Sequence, residues 1–208
     1  PENPALMAAK GPHMLRLLSV LALTGASAAL ADPAIPTFAD ESAASGLTTV
    51  FDGEYFFMVG GGPAVFDCSG DRLPEVFLPG GSGRAQLYLN QSVPGQVLSF
   101  APTDSGLEMD AVLGAYPLDI DSDAITDLVV LRQGENRVMR GLGNCRFEAA
   151  NQAWGFDGGK AWSASYAAIW EKGATWPTIA IGNYIDRTQE AFPWGSCTEN
   201  WLHRPAEG

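Results

Sequence analysis

An internal repeat of about 50 residues constrains the fold of this chain more than any other feature, because repeated units adopt one supersecondary structure. Residues 64–78 align with residues 116–130 at an offset of 52. Acidic residues coincide at positions 1, 5 and 9 of a loop in both segments, and an apolar triplet follows each loop. The downstream residues 86–100 and 137–148 also agree. Each unit reads as four short strands joined by an acidic loop, a glycine turn and a hairpin, which predicts an all-β fold.

A third, degenerate unit follows the first two. Its first strands are predicted at residues 165–169 and 178–182, but the loop between them has lost the aligned acids, and Lys172 stands where Asp121 stands in the second unit. We therefore expect no cation in this third loop. An insertion at residues 183–200 precedes Trp201, which is predicted to begin the third strand.

Four short strands in about 50 residues make one blade of a β-propeller. The domain prediction is blade unit 1 at 63–114, blade unit 2 at 115–163, and a partial blade unit 3 at 164–208. Propellers close with about four to eight blades, so two and a half blades predict an N-terminal fragment of a longer protein.

The acidic loops have the spacing of a calcium site. Calcium takes about six to eight oxygen ligands, and alternate residues of a tight loop point towards one centre. Four carboxylates in one such loop would repel one another strongly without a cation. The predicted ligands of the second loop are Asp119, Asp121, Asp123, Asp127 and the carbonyl of Ile125. Those of the first loop are Asp67, Ser69, Asp71, Glu75 and the carbonyl of Leu73.

The first loop is expected to be the weaker site, because Ser69 is neutral and Glu75 is longer than aspartate. Both loops lack a glycine at position 6, where Arg72 and Ala124 stand, so a calcium affinity of about 10⁻⁴–10⁻³ M is expected. The alternative is a solvated acidic turn without metal. An EF-hand is excluded because position 12 is apolar and strand-forming residues follow.

The N-terminus predicts export. A basic start at Met14, an apolar stretch at 17–30 and a small-x-small site predict a signal peptide at 14–31, cleaved after Ala31. Residues 1–13 are predicted to be an upstream leader, and residues 32–62 to lead into the propeller. The alternative to a signal peptide is a retained anchor or a core helix. No other segment is apolar enough to span a membrane. The net charge of −12 argues against nucleic-acid and anionic-lipid partners.

Three cysteines allow three single pairings in an oxidising compartment. Cys68 and Cys145 would lie at the same end of neighbouring blades, so this pair is favoured.

Several segments resemble a known family of propellers. The acidic loops are similar to the FG-GAP/VCBS repeats of integrin-α-like proteins, with their Asp-x-Asp-x-Asp-Gly-x-x-Asp pattern. More narrowly, the chain resembles cartilage acidic protein-like (ASPIC/UnbV-associated) proteins. The segments that carry this narrower resemblance are 66–68 with 74–78, 140–148, 154–159, 182–187 and 193–197. The resemblance implies a seven-bladed propeller, calcium in the loops, and an extracellular or periplasmic binding role without an established enzymatic activity.

The leading functional hypothesis is an exported, non-enzymatic calcium-binding scaffold for a protein or glycan ligand. Phe192 and Trp194 of the insertion are candidate anchors for a partner, although packing against the blade is the favoured interpretation of both. One alternative is a propeller-type polysaccharide lyase or hydrolase whose catalytic residues lie in missing blades. Another is a structural module that never binds metal. His13 and His203 are the only histidines, and no Gly-x-Ser-x-Gly or His-Glu-x-x-His motif occurs, which argues against hydrolase chemistry in this chain.

Overall fold

Within the described residues, eleven short strands, each paired antiparallel with its neighbour in the chain, form three separate sheets. The computed structural model describes residues 35–186 and 196–206. The chain divides into two units, Pro1–Phe38 and Ala39–Gly208, and all eleven strands belong to the second. The predicted leader and signal peptide and the anchors Phe192 and Trp194 lie outside the described residues.

Each sheet is a simple meander. The first contains β1 (Ala64–Phe66), β2 (Glu75–Leu78), β3 (Gln86–Asn90) and β4 (Phe100–Thr103) in that order. The second contains β5 (Val112–Leu118), β6 (Asp127–Arg132), β7 (Arg137–Gly141) and β8 (Phe147–Ala149). In the third, β10 (Thr178–Asn183) lies between β9 (Ser163–Ile169) and β11 (Trp201–His203).

The all-β prediction is confirmed for the described residues, whose only helical element is a single 3-10 turn at Tyr55–Phe57. The three sheets do not close into a ring. β5 begins at Val112, three residues before the predicted start of the second unit, and pairs with β6 through an irregular register near Gly114. No described helix has the length and hydropathy needed to cross a bilayer.

The second sheet is buried on both faces, and β6 shows why. Its successive side chains alternate between two hydrophobic clusters, since neighbouring residues of a strand point to opposite faces. Leu128 and Val130 pack in the cluster that includes residues of the first sheet, whereas Val129 and Leu131 pack in the cluster that includes Ile179 and Ile181 of the third. All four of these β6 side chains are at most 1% exposed. The uninterrupted apolar run of this strand is thus explained by two buried faces.

The strand-connecting loops of the three sheets have the same length. Loop 1 (67–74) joins β1 to β2, loop 2 (119–126) joins β5 to β6, and loop 3 (170–177) joins β9 to β10, with eight residues in each. Position 9 of the repeat is therefore the first residue of the second strand in every sheet. This regularity places the candidate ligands at equivalent points of successive sheets.

Candidate metal centre in the strand-connecting loops

Loops 1 and 2 have the same hydrogen-bonded scaffold, beginning at position 1. The Oδ2 atom of Asp67 accepts a bond of 2.9 Å from the amide of Arg72. The Oδ2 atom of Asp119 accepts the equivalent bond of 3.0 Å from the amide of Ala124. The acid at position 1 therefore ties the start of each loop to position 6.

The acids at position 5 make a second matching bond. Asp71 Oδ1 accepts from the amide of Leu73 at 2.8 Å, and Asp123 Oδ1 accepts from the amide of Ile125 at the same distance. The residues at position 7, whose carbonyls are predicted metal ligands, are thus fixed within the loop through their amides. Asp71 and Asp123 are themselves exposed.

The acids at position 9 complete the scaffold from inside the protein. Glu75 and Asp127 are 1% and 0% exposed. Glu75 Oε2 accepts from the amide of Cys68 at 2.8 Å, and Asp127 Oδ2 accepts from the amide of Ile120 at 2.7 Å. Asp127 Oδ1 accepts a further bond of 2.7 Å from the amide of Gly141 in β7. The buried acid therefore holds loop 2 against the third strand of its sheet.

Two positions of each loop adopt left-handed backbone. The φ angles are 81° at Gly70 and 61° at Ser122, both at position 4. At position 6 they are 70° at Arg72 and 66° at Ala124. Left-handed backbone costs a non-glycine residue about 1–2 kcal/mol, so the chain retains at position 6 the conformation for which glycine is suited. Both loops thus adopt left-handed backbone at position 6 without glycine.

Three of the four predicted acids of loop 2 converge. Carboxylate oxygens of Asp119, Asp121 and Asp127 all lie within 4.8 Å of one another. Asp121 Oδ1 is buried and has no hydrogen-bond partner among the described residues. Burial raises the pKa of Asp127, and the Asp121 carboxylate raises it further, against the lowering effect of the donated amide bonds. The carboxylates of Asp121 and Asp127 therefore repel each other.

Asp123 does not join this group, in contrast to the prediction that all four acids converge. Its Oδ2 atom lies 3.5 Å from the terminal nitrogen of Arg140, and Asp121 Oδ2 lies 3.1 Å from Arg140 Nε. The predicted pattern omitted this arginine, which stands on β7 outside the loop. The sequence could have indicated this contact, because it places an arginine on the strand that packs beside the acidic loop.

Loop 1 does not assemble three acids in the part of the chain described. Asp67 and Asp71 accept amide bonds within the loop, and Ser69 Oγ lies 3.4 Å from Asp67 Oδ1. The bond from the Gly70 amide lowers the pKa of Asp67. Glu75 instead lies beside Cys68, whose Sγ is 3.3 Å from its Oε2. Loop 1 thus has the backbone of loop 2 without its carboxylate cluster.

A disulfide connects loop 1 to the second sheet. Cys68 at position 2 is bonded to Cys145 in the β7–β8 hairpin, with 4.8 Å between the Cα atoms. The amide of Cys145 also donates to the carbonyl of Cys68 at 3.3 Å. Neither sulfur can serve as a thiolate ligand while this bond is intact, so the grouping of Glu75 with these cysteines is not a metal site.

Loop 3 replaces the acidic scaffold by an ion pair. Thr178 at position 9 donates through its hydroxyl to Glu171 Oε1 at 2.8 Å. Arg204 binds both carboxylate oxygens of the same glutamate, through Nε at 2.7 Å and through its terminal nitrogen. Lys172 at position 3 is exposed. This loop offers no cluster of carboxylates to a cation.

The donors of loop 2 suit a hard cation such as calcium or magnesium. They are carboxylate oxygens, without imidazole or thiolate, which are the ligands that hard cations take. Asp121 Oδ1 is a buried oxygen that lacks a partner among the described residues, as expected of a ligand atom without its metal. Asp119, Asp121 and Asp127 would hold the ion.

His203, the histidine within the described residues, lies outside the strand-connecting loops. His203 is in β11, where its ring packs 4.6 Å from the ring of Phe156. Burial lowers its pKa, although Asp157 raises it in part. His203 therefore belongs to the packing between the second and third sheets.

No protein-family model matches this chain, and no curated protein matches it either.

Proposed function

We propose that this chain is a calcium-binding repeat protein of the β-propeller type, in which the ion in loop 2 fixes the connection between the first two strands of a blade. Two observations carry the proposal: carboxylate oxygens of Asp119, Asp121 and Asp127 lie within 4.8 Å of one another, and Asp121 has a buried oxygen without a partner among the described residues.

The energetics of Asp127 support a cation. A fully buried carboxylate is costly to ionise, and its raised pKa expresses that cost. A divalent ion between Asp127 and its neighbours would favour the ionised form and relieve the repulsion within the cluster. Because Asp127 also accepts hydrogen bonds from the amides of Ile120 and Gly141, an ion held at this point would stabilise both the loop and the C-terminal end of β7.

The propeller architecture is proposed on the packing of the sheets. Three antiparallel meanders follow one another in chain order, and the second is covered on both faces by its neighbours. Continuation of this stacking in a longer chain would generate the ring of a propeller, of which seven blades are expected by resemblance.

The proposed role is an exported interaction scaffold for a protein or glycan. The Cys68–Cys145 bond supports an oxidising compartment, because disulfides persist mainly outside the cytosol. Trp170 and Trp176 of loop 3 are 43% and 36% exposed, and such aromatic side chains are favoured at binding surfaces. No enzymatic activity is proposed.

Calorimetric titration of calcium into chelator-treated protein tests the metal. We expect a Kd of about 10⁻⁴–10⁻³ M. At a hundredfold excess of calcium over this Kd, the ion should add about 2.7 kcal/mol to the free energy of unfolding. Asp121→Asn should weaken binding at least about tenfold, since it removes one ligand charge.

The matched control is Asp104→Asn, which removes the same charge from an exposed residue outside the three loops. It should bind calcium as the unaltered protein does. Absence of heat and of any thermal shift at about 10 mM calcium, well above the range for extracellular modules, would contradict the proposal.

A further inference from the structure

We propose that Arg140 is an internal counter-cation that competes with calcium for Asp121 and thereby sets the affinity of loop 2. This inference rests on the proposed function, because it concerns the regulation of the same site. It assigns a role to a residue that the loop spacing does not include.

The contacts of Asp121 are divided between two partners. Its Oδ2 atom lies 3.1 Å from Arg140 Nε, while its Oδ1 atom is buried without a hydrogen bond among the described residues. The Asp121 side chain is only 11% exposed. Because a carboxylate so enclosed interacts strongly with any nearby charge, the guanidinium and a bound ion cannot act on it independently.

The Arg140 contact is suited to exchange. Arg140 Nε is buried but makes no directed hydrogen bond among the described residues, although it lies within ion-pair distance of Asp121. Its terminal nitrogen is 3.5 Å from Asp123 Oδ2, at the outer limit of hydrogen bonding. The side chain as a whole is 43% exposed, so the guanidinium can withdraw into water. Little directed bonding is lost when a cation takes its place.

The first sheet shows what replaces Arg140 when Asp121 is absent. Val76 and Leu128 both stand at position 10 of the repeat, and they pair with Tyr88 and Met139 respectively. The residues that follow these partners, Leu89 and Arg140, are therefore structurally equivalent. Leu89 packs against the apolar core.

In the first two sheets, the acid at position 3 and the cation on the third strand are therefore present together or absent together. In the third sheet, Arg204 is the equivalent of Arg140, because His203 pairs with Ile179; Arg204 pairs with Glu171, and Lys172 stands at position 3. Loop 1 combines Ser69 with Leu89 and carries three acids, Asp67, Asp71 and Glu75. Loop 1 also contains Arg72, whereas the four acids of loop 2 have no basic residue within the loop, and Arg140 on β7 supplies one positive charge beside them. The fourth acid is thus balanced within the protein, which lowers the free energy that calcium gains from it.

The test replaces Arg140 by the residue of the first sheet, Arg140→Leu, and measures calcium binding by calorimetry together with metal-free thermal unfolding. We expect the Kd for calcium to fall at least about tenfold, because the Asp121 carboxylate then acts on the ion without a competing guanidinium. Without metal, the variant should melt at a lower temperature than the unaltered protein, since Asp121 then lacks a counter-charge. In an Asp121→Asn background, Arg140→Leu should no longer tighten binding.

Arg137→Leu is the matched control, because Arg137 stands on the same strand and pairs with Glu135 at 3.0 Å outside the loop. It should change the Kd less than about twofold.

If the unaltered protein binds no calcium but Arg140→Leu does, the proposed calcium function of the native loop fails while the role of Arg140 is supported. If the unaltered protein binds calcium and Arg140→Leu binds no more tightly than Arg137→Leu, the role of Arg140 is overturned and the calcium function stands. If neither the unaltered protein nor Arg140→Leu binds calcium, the calcium function and the role of Arg140 are both overturned.

Discussion

Removal of the Cys68–Cys145 bond should cost this protein a large part of its stability. The two cysteines are 77 residues apart, and they connect loop 1 of the first sheet to the β7–β8 hairpin of the second. The entropy lost by the unfolded chain when a loop of that length is closed corresponds to about 4.5 kcal/mol at 25 °C. Domains are typically stable by only about 5–15 kcal/mol, so the change should be readily visible.

The assay is urea unfolding of the double variant Cys68→Ser/Cys145→Ser, followed by tryptophan fluorescence and extrapolated to zero denaturant. The midpoint should fall strongly, and reducing the unaltered protein should lower it to the same value. Cys197→Ser is the control, because it leaves the Cys68–Cys145 bond intact. A midpoint for the double variant equal to that of the control would refute the assignment of this bond as a link between the sheets.

Three further predictions concern the loops and the packing between sheets. Ala124→Gly should raise the free energy of unfolding by about 0.5–1 kcal/mol in urea unfolding, because φ is 66° there, whereas Ala101→Gly in strand β4 should lower it. Gly141→Ala should destabilise by more than about 2 kcal/mol in the same assay, since its Cβ would lie 2.3 Å from a loop 2 carbonyl; Gly62→Ala, with open space around it, should change stability by less than about 0.5 kcal/mol. His203→Gln should reduce the loss of melting temperature between pH 7 and pH 5. The pKa of His203 is lowered from 6.5 by burial, so the unfolded chain binds the additional proton first and acid selectively destabilises the fold. An identical pH dependence in both proteins would contradict this.

The repeat in the sequence predicted the strands and the loops well, because both depend on local pattern. The offset of 52 between Asp67 and Asp119 carries over to loops of equal length and to matching amide bonds at positions 1, 5 and 9. The burial of β6 on two faces could not be predicted in the same way, since an apolar run does not specify which sheets will cover it.

The candidate site was predicted only in part, and the reason is the position of a charge outside the loop. Spacing alone treats the four acids of loop 2 as equivalent, but Asp123 lies outside the cluster of three, and Arg140 on β7 pairs with both Asp121 and Asp123. Similarly, the sequence shows that Glu75 is longer than aspartate, whereas the position of its carboxylate beside the disulfide depends on Cys145 from another sheet. Contacts between sheets are not encoded in a nine-residue spacing.

A crystal structure grown in calcium would test the central claim most directly, through anomalous scattering recorded at long wavelength. We predict one anomalous peak in loop 2, about 2.3–2.6 Å from carboxylate oxygens of Asp119, Asp121 and Asp127. We also predict that the Arg140 guanidinium will have moved away from Asp121. A map without a peak in loop 2 at saturating calcium, with Arg140 still paired to Asp121, would contradict both claims.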